Sequence, residues 1–242
     1  MFKLLKVGSS GPDVKELQQL LNAKLGPLHA IVPDGSFGQL TKTAVIKFQK
    51  ANWLSADGIV GPCSMNALKG TERFAVLKAP PRLIPQPTPM TCWAASTAML
   101  TGKTVPQVIA QARAGGVQLA PNDGIFNESN QDDTPNYRKL ATAFGLTMLP
   151  PMSWMPEALA NLMNARGMLM FSTLWNVADY TGGLGSPGHV RILAGTRGDG
   201  TGEGTTVLIY DPWSPNVGKI ESRIYGPFIR ENPATNYKVF HK

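Results

Sequence analysis

Apolar positions in the first seventy residues recur at helical spacing. In VKELQQLLN, which Pro12-Asp13 opens, Val14, Leu17, Leu20 and Leu21 share one face, and in TKTAVIKFQKAN Ala44, Val45, Phe48 and Gln49 do the same. A third short helix is predicted over CSMNAL, so the stretch reads as a small three-helix bundle able to fold alone. Two of these helices follow a repeated phrase. DGSFGQLTKTAV at 34–45 and DGIVGPCSMNAL at 57–68 both give D-G-x-x-G and then an apolar helix, offset by 23 residues. Each Asp-Gly predicts a tight turn, because glycine accepts positive φ and the aspartate can take local backbone hydrogen bonds.

Beyond residue 70 the pattern changes. TERFAVLKAPPRLIP (71–85), rich in proline and of mixed charge, reads as a linker that lays an edge strand on the domain after it. Within 86–242, TCWAASTAMLTG is an apolar helix stopped by Gly102, and VPQVIAQARA and YRKLATAFG are helices on either side of a long polar loop over 115–136. PEALANLMNARG is a helix closed by Gly167, followed by a buried strand, MLMFSTLW. HVRILAGTRG and TTVLIYDPW are strands joined by the hairpin-like GDGTGEG, and IESRIYGPFI adds a last edge strand. Helices first and strands later predict an α+β fold, a helical layer packed on an antiparallel sheet. The division is therefore 1–70, 71–85 and 86–242.

Composition adds bounds to this picture. A chain of 242 residues, 43% hydrophobic and 16% charged, is globular and long enough for two domains. The net charge of +7 is spread out, with no Lys/Arg run and no aromatic ladder between basic residues, which argues against a nucleic-acid partner. A basic surface of this kind is either ordinary or suited to an anionic polymer such as a bacterial envelope. Cys63 and Cys92 fall in different predicted domains, so no structural disulfide is expected. No segment is long enough to span a membrane. The apolar stretch in MFKLLKVGSSGPDV is too short for a signal peptide, so synthesis in the cytoplasm without a conventional export signal is expected.

Candidate chemistry begins at Cys92. A lone cysteine is more often a small buried hydrophobe than a nucleophile. This one opens a predicted helix directly after the turn-forming run PQPTPMT, where backbone amides and the helix dipole favour a thiolate and can bring its pKa to roughly 3.5–7.5 beside a cation. Three histidines could serve it. His29 lies in the N-terminal bundle and His241 at a terminus expected to fray, whereas His189 starts HVRILAG after the flexible run TGGLGSPG, at the rim of a sheet. Asp211 ends TTVLIYD, the strand predicted beside that of His189, where it could orient the imidazole; alone, an Asp before Pro is usually a turn former. No His-x-x-x-His, no cysteine pair at ligand spacing and no phosphate loop is present, so neither metal nor cofactor is expected. Glu128, Asp132 and Asp133 read as a solvated acidic loop rather than a calcium site.

Two resemblances emerge from these residues. LKVGSSGPDVKELQQLLN, DGSFGQLTKTAVIKFQKAN and DGIVGPCSMNAL over residues 3–69 resemble the peptidoglycan-binding module of cell-wall hydrolases, departing at Ser64 and Met65, where that family often has Thr and Trp. QPTPMTCWAAS resembles the nucleophile segment of papain-like cysteine peptidases, with Gln86 six residues before Cys92 and Trp93 just after it. GHVRIL and DPW resemble that family's histidine and orienting segments, in the family order. The segments around them look most similar to compact bacterial members, such as bacteriocin-leader-processing peptidases and plant-pathogen effector proteases. The resemblance implies that Gln86 donates to an oxyanion hole with the Cys92 amide, that Cys92 is the nucleophile, and that His189 and Asp211 complete the set.

The expected activity is amide hydrolysis through a thiolate acyl-enzyme. With bacterial peptidoglycan as partner, the chain would be an amidase or endopeptidase of the cell wall. It would be an antibacterial effector or lytic enzyme, reaching the wall through a secretion apparatus or by phage lysis and countered by an immunity protein. Two alternatives stay open: a protease acting on proteins at the envelope, and a non-catalytic wall-binding protein.

Overall fold

The computed structural model describes residues 3–80, 82–125, 134–150, 154–174, 188–231 and 238–242. Glu128, Asp132 and Asp133, with most of the glycine run before His189, lie outside them. The chain packs as two units, one of Met1–Ala75 with Thr196–Leu208 and Ser222–Phe228, the other of Val76–Gly195, Ile209–Glu221 and Ile229–Lys242.

The first unit holds α1 (Pro12–Leu25), a 3-10 turn (Pro27–His29), α2 (Gln39–Ala51) and α3 (Pro62–Lys69). Proline stands in the first turn of α1 and α3, where its missing N–H costs nothing. Val14, Leu17 and Leu21 of α1 meet Val45 and Phe48 of α2, Val60, and Leu68 of α3 in one core; Leu20 packs at its margin. Two buried glutamines join it, of which the sequence pattern placed only Gln49. Gln18 is buried and its Nε2 donates to Asp34 Oδ1 (2.8 Å), the Ser36 carbonyl (3.1 Å) and Thr41 Oγ1 (3.2 Å), while its Oε1 accepts the Gly35 amide (2.9 Å). Gln49, predicted on the apolar face of α2, does the same for the second phrase. It donates to Asp57 Oδ1 (3.2 Å), the Ile59 carbonyl (2.9 Å) and Ser64 Oγ (3.1 Å), and accepts the Gly58 amide (2.9 Å). Gly35 and Gly58 both take φ +77°, which a side chain would strain. Ser64 keeps the hydroxyl that its Thr41 counterpart supplies, so that departure from the family pattern leaves the lock whole.

The far end of the GDGTGEG hairpin belongs to this unit. Arg197 is bidentate to Glu72 (2.6 and 2.5 Å), donates through Nη1 to the Asn52 carbonyl (2.7 Å) and lies 5.0 Å above the Trp53 ring. The Cys63 thiol donates to the Glu203 carbonyl at 3.1 Å, and Asn66 Nδ2 to Asp199 Oδ2 at 2.7 Å.

The remaining elements are β1 (Phe74–Leu77), α4 (Cys92–Thr101), α5 (Val105–Ala114), α6 (Thr134–Phe144), β2 (Thr147–Leu149), α7 (Pro156–Arg166), β3 (Leu169–Leu174), β4 (Gly188–Gly198), β5 (Thr205–Asp211), β6 (Lys219–Ile224), α8 (Tyr225–Glu231) and β7 (Lys238–His241). Among the described residues the sheet runs β2-β7-β3-β4-β5-β6, with β1 paired to β4. The β2–β7, β3–β7 and β3–β4 ladders are antiparallel, so the α+β class holds. α4 is buried along its length from Cys92 to Leu100 and packs on α5 and β3; an apolar surface all round is what a helix inside a domain requires. Gly102, in left-handed geometry, ends it as the sequence predicted.

Two expectations are corrected. IESRIYGPFI is a strand only to Ile224, because Pro227 cannot donate to a ladder but fits the first turn of α8. The C-terminus does not fray: His241 is buried and pairs with Thr147 in the β2–β7 ladder.

Candidate active site

α4 begins at Cys92 because Pro87 and Pro89 keep the preceding run out of helical geometry and Thr91 takes the N-cap position. One turn along α4 from Cys92, the Ser96 hydroxyl donates to the Val190 carbonyl of β4 at 2.9 Å. Val190 is the neighbour of His189, so this bond ties α4 to the histidine strand. The Trp93 indole N–H donates to the Asp123 carbonyl at 2.8 Å, which fastens the 115–125 part of the long loop to the same helix turn. Arg113 forms an ion pair with Asp123.

His189 stands opposite Thr173 in the β3–β4 register, and Asp211 is the last residue of β5. The structure brings them together: His189 Nε2 lies 2.7 Å from Asp211 Oδ1, with both residues at most 3% exposed. The Trp213 amide donates to the same carboxylate oxygen at 2.9 Å. Gln86 is laid against the segment after Asp211, its amide donating to the Pro212 carbonyl (3.1 Å) and its carbonyl accepting the Asn216 amide (2.9 Å). Its Nε2 donates to the Thr88 carbonyl at 2.7 Å, and its Oε1 is buried with no partner among the described residues.

The charge states follow from burial and hydrogen bonding. Burial raises the Asp211 pKa more than any other single influence, but the His189 hydrogen bond and charge, the Trp213 amide and Arg191 together outweigh it and hold the carboxyl below its ordinary range. Burial pulls the His189 pKa down, with Arg191 and Lys219 adding to it, and Asp211 restores only part. An ionised carboxylate can only accept, so Nε2 carries the imidazole proton and Nδ1 keeps its lone pair. Burial also pushes the Cys92 thiol up to about 11, against the pull of the Val190 and Trp93 amides. This reverses the direction expected from the helix start, because at 7% exposure desolvation exceeds what a few amides return. The resting arrangement is a thiol, a neutral imidazole and a carboxylate.

Gln86, Cys92, His189 and Asp211 all lie in the second unit, where His189 and Asp211 are in direct contact, while His29 at the 3-10 turn is bonded to Lys47 in the first. Cys63 and Cys92 are both free thiols. Val190, Thr88 and Thr91 were not singled out in the sequence, and Trp213 entered only as the last residue of DPW. Only the spacing of Thr88 and Thr91, a hydroxyl pair bracketing Pro89, carried a signal. Among the described residues no group of His, Cys, Asp and Glu is arranged to hold a metal ion.

Residues 77–222 match the family described as papain-like cysteine protease AvrRpt2. The chain belongs to that family. Residues 10–68 match the putative peptidoglycan binding domain family. The chain is 32% identical over 124 residues to a protein of Bacillus licheniformis named probable N-acetylmuramoyl-L-alanine amidase, an alignment covering 51% of this chain and 33% of that one. It is 44% identical over 64 residues to the zinc D-Ala-D-Ala carboxypeptidase of Streptomyces albus G, covering 26% of this chain and 25% of the other. The chain therefore spans about a third and a quarter of the lengths of these relatives. A solved structure described as a putative C39-like peptidase from Bacillus anthracis is 12% identical with a TM-score of 0.41, over 70% of this chain and 98% of that one.

Proposed function

We propose that the chain hydrolyses amide bonds through an acyl-enzyme on Cys92. The observation that carries this reading is the buried His189–Asp211 pair on a strand to which α4, the helix that Cys92 opens, is bonded through Ser96 and Val190. Cys92 passes its proton to His189 Nδ1 as the sulfur bonds to the substrate carbonyl carbon. The oxyanion takes hydrogen bonds from the Cys92 amide and Gln86 Nε2. His189 returns the proton to the leaving amine as the C–N bond breaks. It then takes a proton from water, which attacks the thioester, and the breaking C–S bond recovers it as the thiol forms again. Asp211 holds the imidazole in the required tautomer throughout.

The proposed substrate is bacterial peptidoglycan. The match of residues 10–68 to a wall-binding family supports it, since such a module raises the local concentration of an attached enzyme on its polymer. The cell wall is then the place of action, and an antibacterial or lytic role, with delivery by a specialised apparatus, fits that substrate. The family match favours a second reading, in which the amide belongs to a protein at the envelope. Purified sacculi incubated with the protein and with Cys92→Ala test the first reading. New muropeptides or amines released only by the wild type support it, and identical digests from the two proteins refute it. Casein cleavage with intact sacculi selects the second reading.

A further inference from the structure

The run between Gln86 and Cys92 is tied into a compact knot that the mechanism above leaves unused. Thr91 holds the N-cap position of α4, yet its side chain makes no capping bond to the helix. A threonine there ordinarily turns its oxygen forward onto the amides of the first turn. Here the hydroxyl turns backward: it donates to the Thr88 carbonyl and accepts the Thr88 amide, both at 3.1 Å, and lies 3.1 Å from the Thr88 hydroxyl. Thr91 is 1% exposed, so this partnership is not exchanged for water.

Two consequences meet at the same atoms. The amides of the first α4 turn are left without a side-chain cap. The Thr88 carbonyl that accepts the Thr91 hydroxyl also accepts Gln86 Nε2, at 2.7 Å. A glutamine amide has two N–H donors in one plane. When one is fixed on Thr88, the plane of the amide is fixed and the direction of the second N–H with it. Rotating the amide by half a turn would set Oε1 against the Thr88 carbonyl, two acceptors facing each other, so the orientation is determined. The buried, unpartnered Gln86 Oε1 is what this orientation leaves behind. An unmet acceptor of that kind persists only where the surrounding structure over-determines the side chain.

We propose that Thr91 is a positioning residue that, through the carbonyl of Thr88, aims the free N–H of Gln86 at the oxyanion and keeps the first turn of α4 uncapped. The inference rests on the acyl-transfer reading, and the experiment separates the two. Removing one oxyanion donor outright costs about 10²–10³ in kcat, so misaiming it costs a part of that.

Thr91→Val keeps the shape and loses the hydroxyl; Thr91→Ser keeps the hydroxyl. The expected result is a fall in kcat of about tenfold to a hundredfold for Thr91→Val, with KM little changed and activity near wild type for Thr91→Ser. The Gln86→Ala protein decides the route. If Thr91 acts through Gln86, adding Thr91→Val to Gln86→Ala lowers kcat little further. Equal losses in both backgrounds overturn the inference, as does a Thr91→Ser protein as impaired as Thr91→Val. Alkylation of Cys92 by iodoacetamide, which needs no oxyanion hole, should proceed at the wild-type rate in Thr91→Val; a changed rate would mean a disturbed thiol and would also overturn it. Thr91→Ala serves in the same cycle if the valine protein fails to fold. A Cys92→Ala protein that retains activity refutes the underlying reading instead, whereas an inactive Cys92→Ala beside a silent Thr91→Val refutes this inference alone.

Discussion

Alkylation of Cys92 by iodoacetamide as a function of pH distinguishes a neutral thiol–imidazole pair from a resting thiolate–imidazolium pair. The thiol is pushed up to about 11 from an ordinary 9.0. At pH 7 an ordinary thiol of that pKa is about 1% ionised and Cys92 about 0.01%, a hundredfold difference in thiolate. A thiolate of higher pKa is the stronger nucleophile, by about tenfold over two units at a Brønsted slope near 0.45. Native Cys92 should therefore react about tenfold more slowly at pH 7 than the same residue in the urea-unfolded chain, before any shielding by its burial. Its rate should still be climbing at pH 10. Cys63 is also buried and pushed up to about 11, so the measurement uses a Cys63→Ser protein or peptide mapping by mass spectrometry. His189→Ala should leave the profile nearly unchanged, because a neutral imidazole contributes no charge to the thiol. A rate that levels off below pH 8, or native alkylation faster than unfolded at pH 7, would refute the reasoning and establish the ion pair at rest.

Asp211→Ala leaves the His189 Nε2–H and the Trp213 amide without their buried acceptor; at about 1–3 kcal/mol each the loss on urea unfolding should be roughly 2–6 kcal/mol, and a loss under 1 kcal/mol would mean that water replaces the carboxylate. Melting temperature should fall with acid in two stages. His189, held below its ordinary 6.5, contributes stability that is complete above that pH and lost as pH falls toward its folded value, and Asp211 does the same below 3.8. His189→Gln should flatten the first stage. On the alkaline side, stability should decline from pH 9 toward 11 as the thiols of the unfolded chain ionise first. Gln18→Leu and Gln49→Leu each strand a glycine amide and a carbonyl, and each should cost roughly 2–5 kcal/mol by urea unfolding; the two effects should be of similar size because the two networks match bond for bond.

The candidate site was more legible in the chain than its surroundings were. Cys92, His189 and Asp211 could be picked out because each sits at the end of an element whose apolar run was plain. The pairing of His189 with Asp211 needed only a β4–β5 neighbourhood that the hairpin sequence already suggested. The thiol's direction of titration was not legible, since a helix start is visible in a sequence and the burial of that start is not. Short strands escaped for a different reason. β2 and β7 have three and four residues, too few to show alternation, and only their pairing with β3 and each other makes them strands. In the N-terminal helical unit the repeated Asp-Gly turns were plain, but the glutamines that lock them lie 16 and 8 residues upstream, too far for a local pattern to tie them to the turns.

Those locks bear on how the protein ages. Among aspartate links, Asp-Gly is the one most prone to rearrange to isoaspartate, because the unshielded glycine nitrogen can close onto the aspartate carboxyl and form a succinimide. At both turns that nitrogen is tied to a glutamine oxygen, and the carboxyl is held by the glutamine nitrogen and by the amide two residues on, Ser36 or Ile59. Neither partner is free to approach the other in the geometry that ring closure needs. The same bonds that shape the two turns protect two of the four Asp-Gly links of the chain, and stored Gln18→Leu and Gln49→Leu proteins should accumulate isoaspartate at Asp34 and Asp57 respectively, where the wild type does not.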